Sequence, residues 1–240
     1  MRYLLATLSL SLILTIMLGG LTGCEGSGSP ATLLADKNAP THLPTTVDGI
    51  AHWHNSRVED IVQRFHAGEW EGLPDIEALL KEWGCLDFVD LESVRQNWHT
   101  HGRIFERGFR PEDLESLLSR GLDRAAADPA VSPRFHAQLE LCLGVLLDDD
   151  RSRLPSRVHQ LAAMARANGT LREKELAGVL LGSMQRAASG HRLPPDSPFY
   201  PVVLGYDEAG TLFGGPAVGT LYSAQVELMI FILTFPGPWW

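Results

Sequence analysis

From residue 56 onward the apolar residues recur at helical intervals, and that spacing limits the fold more than any other feature of the chain. Val58, Ile61, Val62 and Phe65 fall at i, i+3, i+4 and i+7, and Ile76, Leu79, Leu80 and Trp83 repeat the pattern. Leu114, Leu117, Leu118, Leu122 and Ala125 do so again, behind a proline at 111 that a first helical turn tolerates. Leu91, Val94, Trp98, His101 and Phe105 form a thinner stripe. Residues 133–147 are apolar on most sides, which predicts a central buried helix. Two more helices are expected near 154–167 and 171–188, stopped by Asn168-Gly169 and by Gly190. The words DIEAL, DLESV and DLESL begin at Asp75, Asp90 and Asp113, but their unequal separations exclude a solenoid. Acidic residues in a first turn favour the helix dipole, which explains the recurrence.

The tail has another character. FYPVVLGYDEAGTLFGGP holds two short apolar runs around Asp207–Gly210, the pattern of a β-hairpin. The closing SAQVELMIFILTFPGPWW is open to helix or strand, because so short an apolar run does not settle its period. Pro236 and Pro238, and the lack of alternation elsewhere, exclude an outer-membrane barrel. The expected fold is mainly α: a single helical domain of about seven helices with a small C-terminal β-hairpin.

The first residues carry an address. One basic residue, Arg2, precedes an apolar run from Leu4 to Leu18, and Gly19 and Gly20 follow. These are the parts of a secretory signal, and the run is too short to span a bilayer. The next four residues, LTGC at 21–24, resemble the lipobox of bacterial lipoproteins. The resemblance covers only the first 24 residues. It implies cleavage before Cys24 and acylation of its thiol, with palmitate among the chains. Each buried methylene contributes about 0.8 kcal/mol, so several chains hold a protein durably. Glu rather than Asp at position 25 implies, within that family, the outer membrane rather than the inner. The expected organisation is a signal peptide at 1–23, a flexible tether at 24–48 and a helical periplasmic domain at 49–240. Such a tether reaches about 25–30 Å.

A formal charge of −9 excludes nucleic acid and a surface that hugs anionic lipid. The expected partners are the membrane, through the lipid, and another envelope protein. Trp239 and Trp240 are candidate contacts for that protein, with a crevice-filling role as the alternative. In an oxidising compartment Cys85 and Cys142 form a candidate disulfide, closing a loop of about 57 residues worth roughly 4 kcal/mol. Two buried free thiols are the other reading.

Histidine carries the only hint of a cofactor. His52 with His54, and His99 with His101, are candidate zinc ligands. Residues two apart share a face on a strand but lie about 200° apart on a helix. His99 and His101 fall in a helical stretch, whereas His52 and His54 are expected ahead of the first helix. The chain has no HExxH, GxSxG, SxxK or phosphate-loop pattern, so no catalytic residue is nominated. The expected function is a membrane-anchored lipoprotein with a non-catalytic helical interaction domain and no cofactor. The alternatives are a metal-assisted hydrolase built on the four histidines and a carrier of a small ligand or metal.

Overall fold

Thr46 starts the first helix: its extended backbone lets its hydroxyl accept from the amide of Gly49 at 3.2 Å. The computed structural model describes residues 43–70, 74–92, 94–95, 111–148, 151–188 and 200–234. Helix α1, Val47–His66, begins well ahead of the expected residue 56 and ends before Gly68, whose φ of 75° suits glycine. Asp75 caps α2, Ile76–Glu82, and a 3₁₀ turn follows at Leu86–Phe88. Then come α3, Pro111–Ala127, and α4, Pro133–Leu147, which Ser132 caps by accepting from Phe135. The series closes with α5, Leu154–Asn168; α6, Leu171–Ala188; α7, Tyr200–Gly214; and α8, Pro216–Thr234.

Eight α-helices are described from end to end, residues 91–92 and 94–95 are helical as well, and no described residue is in a β-strand, so the mainly helical class stands and the C-terminal β-hairpin does not. Asp207–Gly210 is the middle of α7, not a turn. The chain reverses one step later, at Gly215 with φ 83°, and Pro216 opens α8. The reason is burial on every side. All residues from Tyr200 to Leu212 are buried, so their apolar side chains meet neighbours whatever the period, and alternation carries no information. The glycines there are contact points. A Cβ on Gly210 would lie 2.8 Å from the Cα of Gly219, and one on Gly219 would lie 2.6 Å from the carbonyl oxygen of Asp207. Only glycine lets α7 and α8 approach so closely.

These two helices unite the core. Apolar residues of α7 join α1, α3, α4, α5 and α6 in one cluster, those of α8 join α1, α2 and Cys85 in a second, and both contribute to a third. The expectation of a central helix at 133–147 needs correcting: α4 buries Phe135, Leu139, Cys142, Leu143, Val145 and Leu146, while Leu141 is 50% and Leu147 41% exposed. The candidate disulfide is also overturned. Cys85 packs in the second cluster beside Trp53 and Trp83, Cys142 in the first, and both are free, buried thiols. An apolar helix face supplies what a buried thiol needs, and neither cysteine faces the other's cluster. Among the described residues no helix is long and apolar enough to cross a membrane.

Candidate functional site

The first helix separates the histidines it carries. His52 and His54 lie inside α1, not ahead of it; His52 is exposed and His54 completely buried. Their divergence is what a two-residue step on a helix imposes. His99 and His101 lie outside the described residues, as do Cys24, Trp239 and Trp240. Among the described residues, no group of three or more His, Cys, Asp or Glu side chains is arranged to hold a metal ion.

His54 instead joins a chain of polar groups that crosses the core. Its Nε2 lies 3.1 Å from Ser183 Oγ on α6, and its Nδ1 lies 3.0 Å from Thr220 Oγ1 on α8. Ser183 is bonded in turn to Asp207 Oδ2 on α7, and Thr220 Oγ1 lies 2.8 Å from the Pro216 carbonyl. Burial, aided by the positive charge of Arg186, lowers the His54 pKa to about 3, so the ring is neutral. Burial pushes the Asp207 carboxyl well above its ordinary range, opposed in part by the hydroxyls of Ser183 and Ser223.

Counting protons gives this chain a direction. With Asp207 protonated, its O–H donates to Ser183, Ser183 donates to His54 Nε2, and His54 Nδ1–H donates to Thr220. Thr220 then donates to the Pro216 carbonyl. Each donor has an acceptor and no charge is buried. The Val179 carbonyl, 3.1 Å from Ser183 Oγ, competes for one of these protons. Ionising Asp207 reverses the three side-chain links, withdraws the proton from Pro216 and leaves a charge in the core. The uncharged arrangement is therefore the stable one.

The same residue types serve hydrolases, but here their order differs. A nucleophilic serine needs the imidazole between itself and the carboxylate. In this core Ser183 is the middle member, with His54 Nε2 3.8 Å from Asp207 Oδ2. None of the three is more than 5% exposed. The adjoining cavity, bounded by Ser183, Arg186, Tyr200, Asp207, Ser223 and Glu227, has a volume of about 10 Å³. That admits a water-sized molecule and no substrate. Arg186, 7% exposed, closes one side: its guanidinium forks onto Glu227 at 3.1 and 3.2 Å and reaches Glu59 at 2.8 Å. Glu208, next to Asp207, is fully buried, and among the described residues neither carboxyl oxygen has a hydrogen-bond partner. Burial raises its pKa well above the ordinary value against the pull of Arg172, which keeps it an acid. Burial also pushes the Cys142 thiol up to about 12.

None of Ser183, Asp207, Glu208 or Thr220 stood out in the sequence. The signal was there in DEAG at 207–210: two carboxyls inside an apolar run are either a turn or a buried acid pair. Turn chemistry was the more ordinary choice.

The accessible features lie elsewhere. A cleft of about 380 Å³ opens at the α7–α8 turn, but its cations are engaged. Arg172 donates to the Thr211 and Leu212 carbonyls at 2.9 Å and pairs with Glu175 at 3.1 Å, while Arg124 sits 5.8 Å from the Phe213 ring centre. A groove of about 240 Å³ runs between α3 and α4. Leu118, Leu122, Leu143 and Leu147 supply its apolar lining, and Glu115, Asp123 and Glu140 its acids. His136, also in the lining, has Nε2 3.0 Å from the Leu122 carbonyl and must donate to it.

Compared with protein-family models, curated proteins and solved structures, the chain matches none of them.

Proposed function

We propose that this chain is a lipid-anchored lipoprotein of the cell envelope whose helical domain acts by binding another protein rather than by catalysis. The observation that carries the reading is the contrast between a sealed polar core and an open groove of mixed leucine and acidic lining. The groups capable of acid–base chemistry, His54, Ser183 and Asp207, are buried where only a water-sized molecule fits. The α3–α4 groove instead is open to solvent, where Leu147 is 41% exposed and Leu122 half-buried, while Leu118 and Leu143 in its lining are buried. An open groove lined by leucine and edged by carboxylates is a shape that a partner's helix can enter. The LTGC sequence and the glycine- and serine-rich residues after it support an acylated Cys24 and a domain held at the outer membrane, facing the periplasm. The domain's partner is then another envelope component, with Trp239 and Trp240 as further candidate contacts.

Two arms test this. Radiolabelled palmitate should enter the wild-type chain and not a Cys24→Ser variant. A photo-crosslinking residue scanned over exposed positions in cells should give a discrete adduct. Equal labelling of both chains, or an anchored chain that yields no adduct anywhere, overturns the reading.

A further inference from the structure

The α3–α4 groove identifies the chemistry of its occupant through three features. The first is charge. Glu115, Asp123 and Glu140 line it, no Lys or Arg among the described residues does, and the whole chain carries −9. An anionic lipid surface is repelled, and so is a second copy of this acidic chain. The second is shape. The lining runs from Glu115 to Ala126 on α3 and from His136 to Leu147 on α4. At 1.5 Å per residue each stretch is about 16 Å, three turns of a helix.

The third feature is a glycine without an internal reason. Gly144 lies inside α4, three residues before its last residue, where glycine costs stability relative to alanine. The glycines inside α6, α7 and α8 face close neighbours: a Cβ on Gly178 would meet Ile50, one on Gly205 would meet Leu114, and Gly210 faces Gly219. A Cβ on Gly144 would meet nothing within 4 Å, and the residue is exposed on the groove wall. Among the described helix-interior glycines it alone has open space. The room it leaves is room for something outside the domain.

Resting on the interaction-domain reading above, we infer that this groove receives a basic amphipathic helix of a partner protein. Apolar side chains of that helix, at helical spacing, lie on Leu122 and Leu147, the leucines of the lining that reach solvent, with one seated over Gly144. Its lysines or arginines face Glu115, Asp123 and Glu140.

The test uses the full chain in phosphatidylcholine nanodiscs and a fluorescent synthetic peptide of about four helical turns. The peptide carries leucine at helical spacing and lysine elsewhere; the controls are a scrambled order, a glutamate-for-lysine version and empty discs. The lysine peptide should bind saturably, more weakly as salt rises, and the controls should not. Gly144→Phe fills the groove and should weaken binding by roughly tenfold or more. Its melting temperature should stay level or rise, since the new side chain enters open space. Glu140→Lys, on an exposed position, should weaken binding without altering the fold and serves if the phenylalanine variant misfolds. Equal affinity for wild type and both variants overturns the inference, as does equal binding of the glutamate peptide. A peptide-free dimer that Gly144→Phe abolishes also overturns it, by seating a second copy instead. These outcomes are separate from the fate of the broader reading: a chain still acylated and still crosslinked in cells keeps its role as a binding protein even if this groove is not the surface used.

Discussion

Asp207→Asn should make the domain less sensitive to rising pH than wild type. The unfolded chain releases the Asp207 proton near 3.8, whereas burial raises the folded value well above that. Stability from this group is therefore fully present below the unfolded value and is lost as pH climbs towards the folded one. Within that window each pH unit removes about 1.4 kcal/mol from wild type through Asp207. Asparagine has no proton to lose, and its amide still donates to Ser183, so the hydrogen-bond chain keeps its direction. The groups facing the site remain in both proteins: Glu208 beside it, Arg186 and Ser183 from α6, His54 from α1, and Ser223 and Glu227 from α8. Their contributions cancel in the difference. Near the unfolded value of 3.8 the variant should sit within about 1 kcal/mol of wild type. Towards neutral pH it should gain about 3–6 °C in melting temperature relative to wild type for every pH unit, at 2–4 °C per kcal/mol for a chain this long. Circular-dichroism melts of both proteins across a pH series provide the measurement. Parallel melting profiles would refute the reasoning, because they would mean that Asp207 is as easily ionised inside the core as outside it.

Three further outcomes are expected. Ser183→Ala strands His54 Nε2 and Asp207 Oδ2 in the core; at about 1–3 kcal/mol for each unsatisfied group the melting temperature should fall by at least 5 °C or so, and an unchanged value would show that the two partners rejoin without the hydroxyl. Gly219→Ala forces α7 and α8 apart against the Asp207 carbonyl and should cost about 1–3 kcal/mol in chemical denaturation, whereas Gly144→Ala should cost nothing or stabilise. Cys85 and Cys142 should resist alkylation in the folded protein, and both should react once it is unfolded without reductant; intact mass reads the result, and failure to react after unfolding would restore the bridge.

The helical class was legible because it is written locally. Val58, Ile61 and Val62, or Leu114, Leu117 and Leu118, mark a buried stripe whatever lies against it, and all six are indeed buried. Asp75 opens the word DIEAL, and its side chain accepts from the amide two residues on, a bond between close neighbours in the chain. The candidate site was not legible in this way. His54 stood out as one of a pair with His52, and the helix that carries both sends them to opposite surroundings.

What the sequence by itself determined, then, is the helical character of elements with a regular apolar stripe, because contrast between faces is a property of neighbours along the chain. Only the tertiary structure decided the elements and residues without that contrast. Helix α7 is buried all round, so its period is hidden and its acids look like a turn. Cys142 could have faced either a partner thiol or a leucine, and Gly144 either a neighbouring helix or solvent. Those choices turn on residues far away in the chain, brought near only when the helices pack, and no local pattern records them.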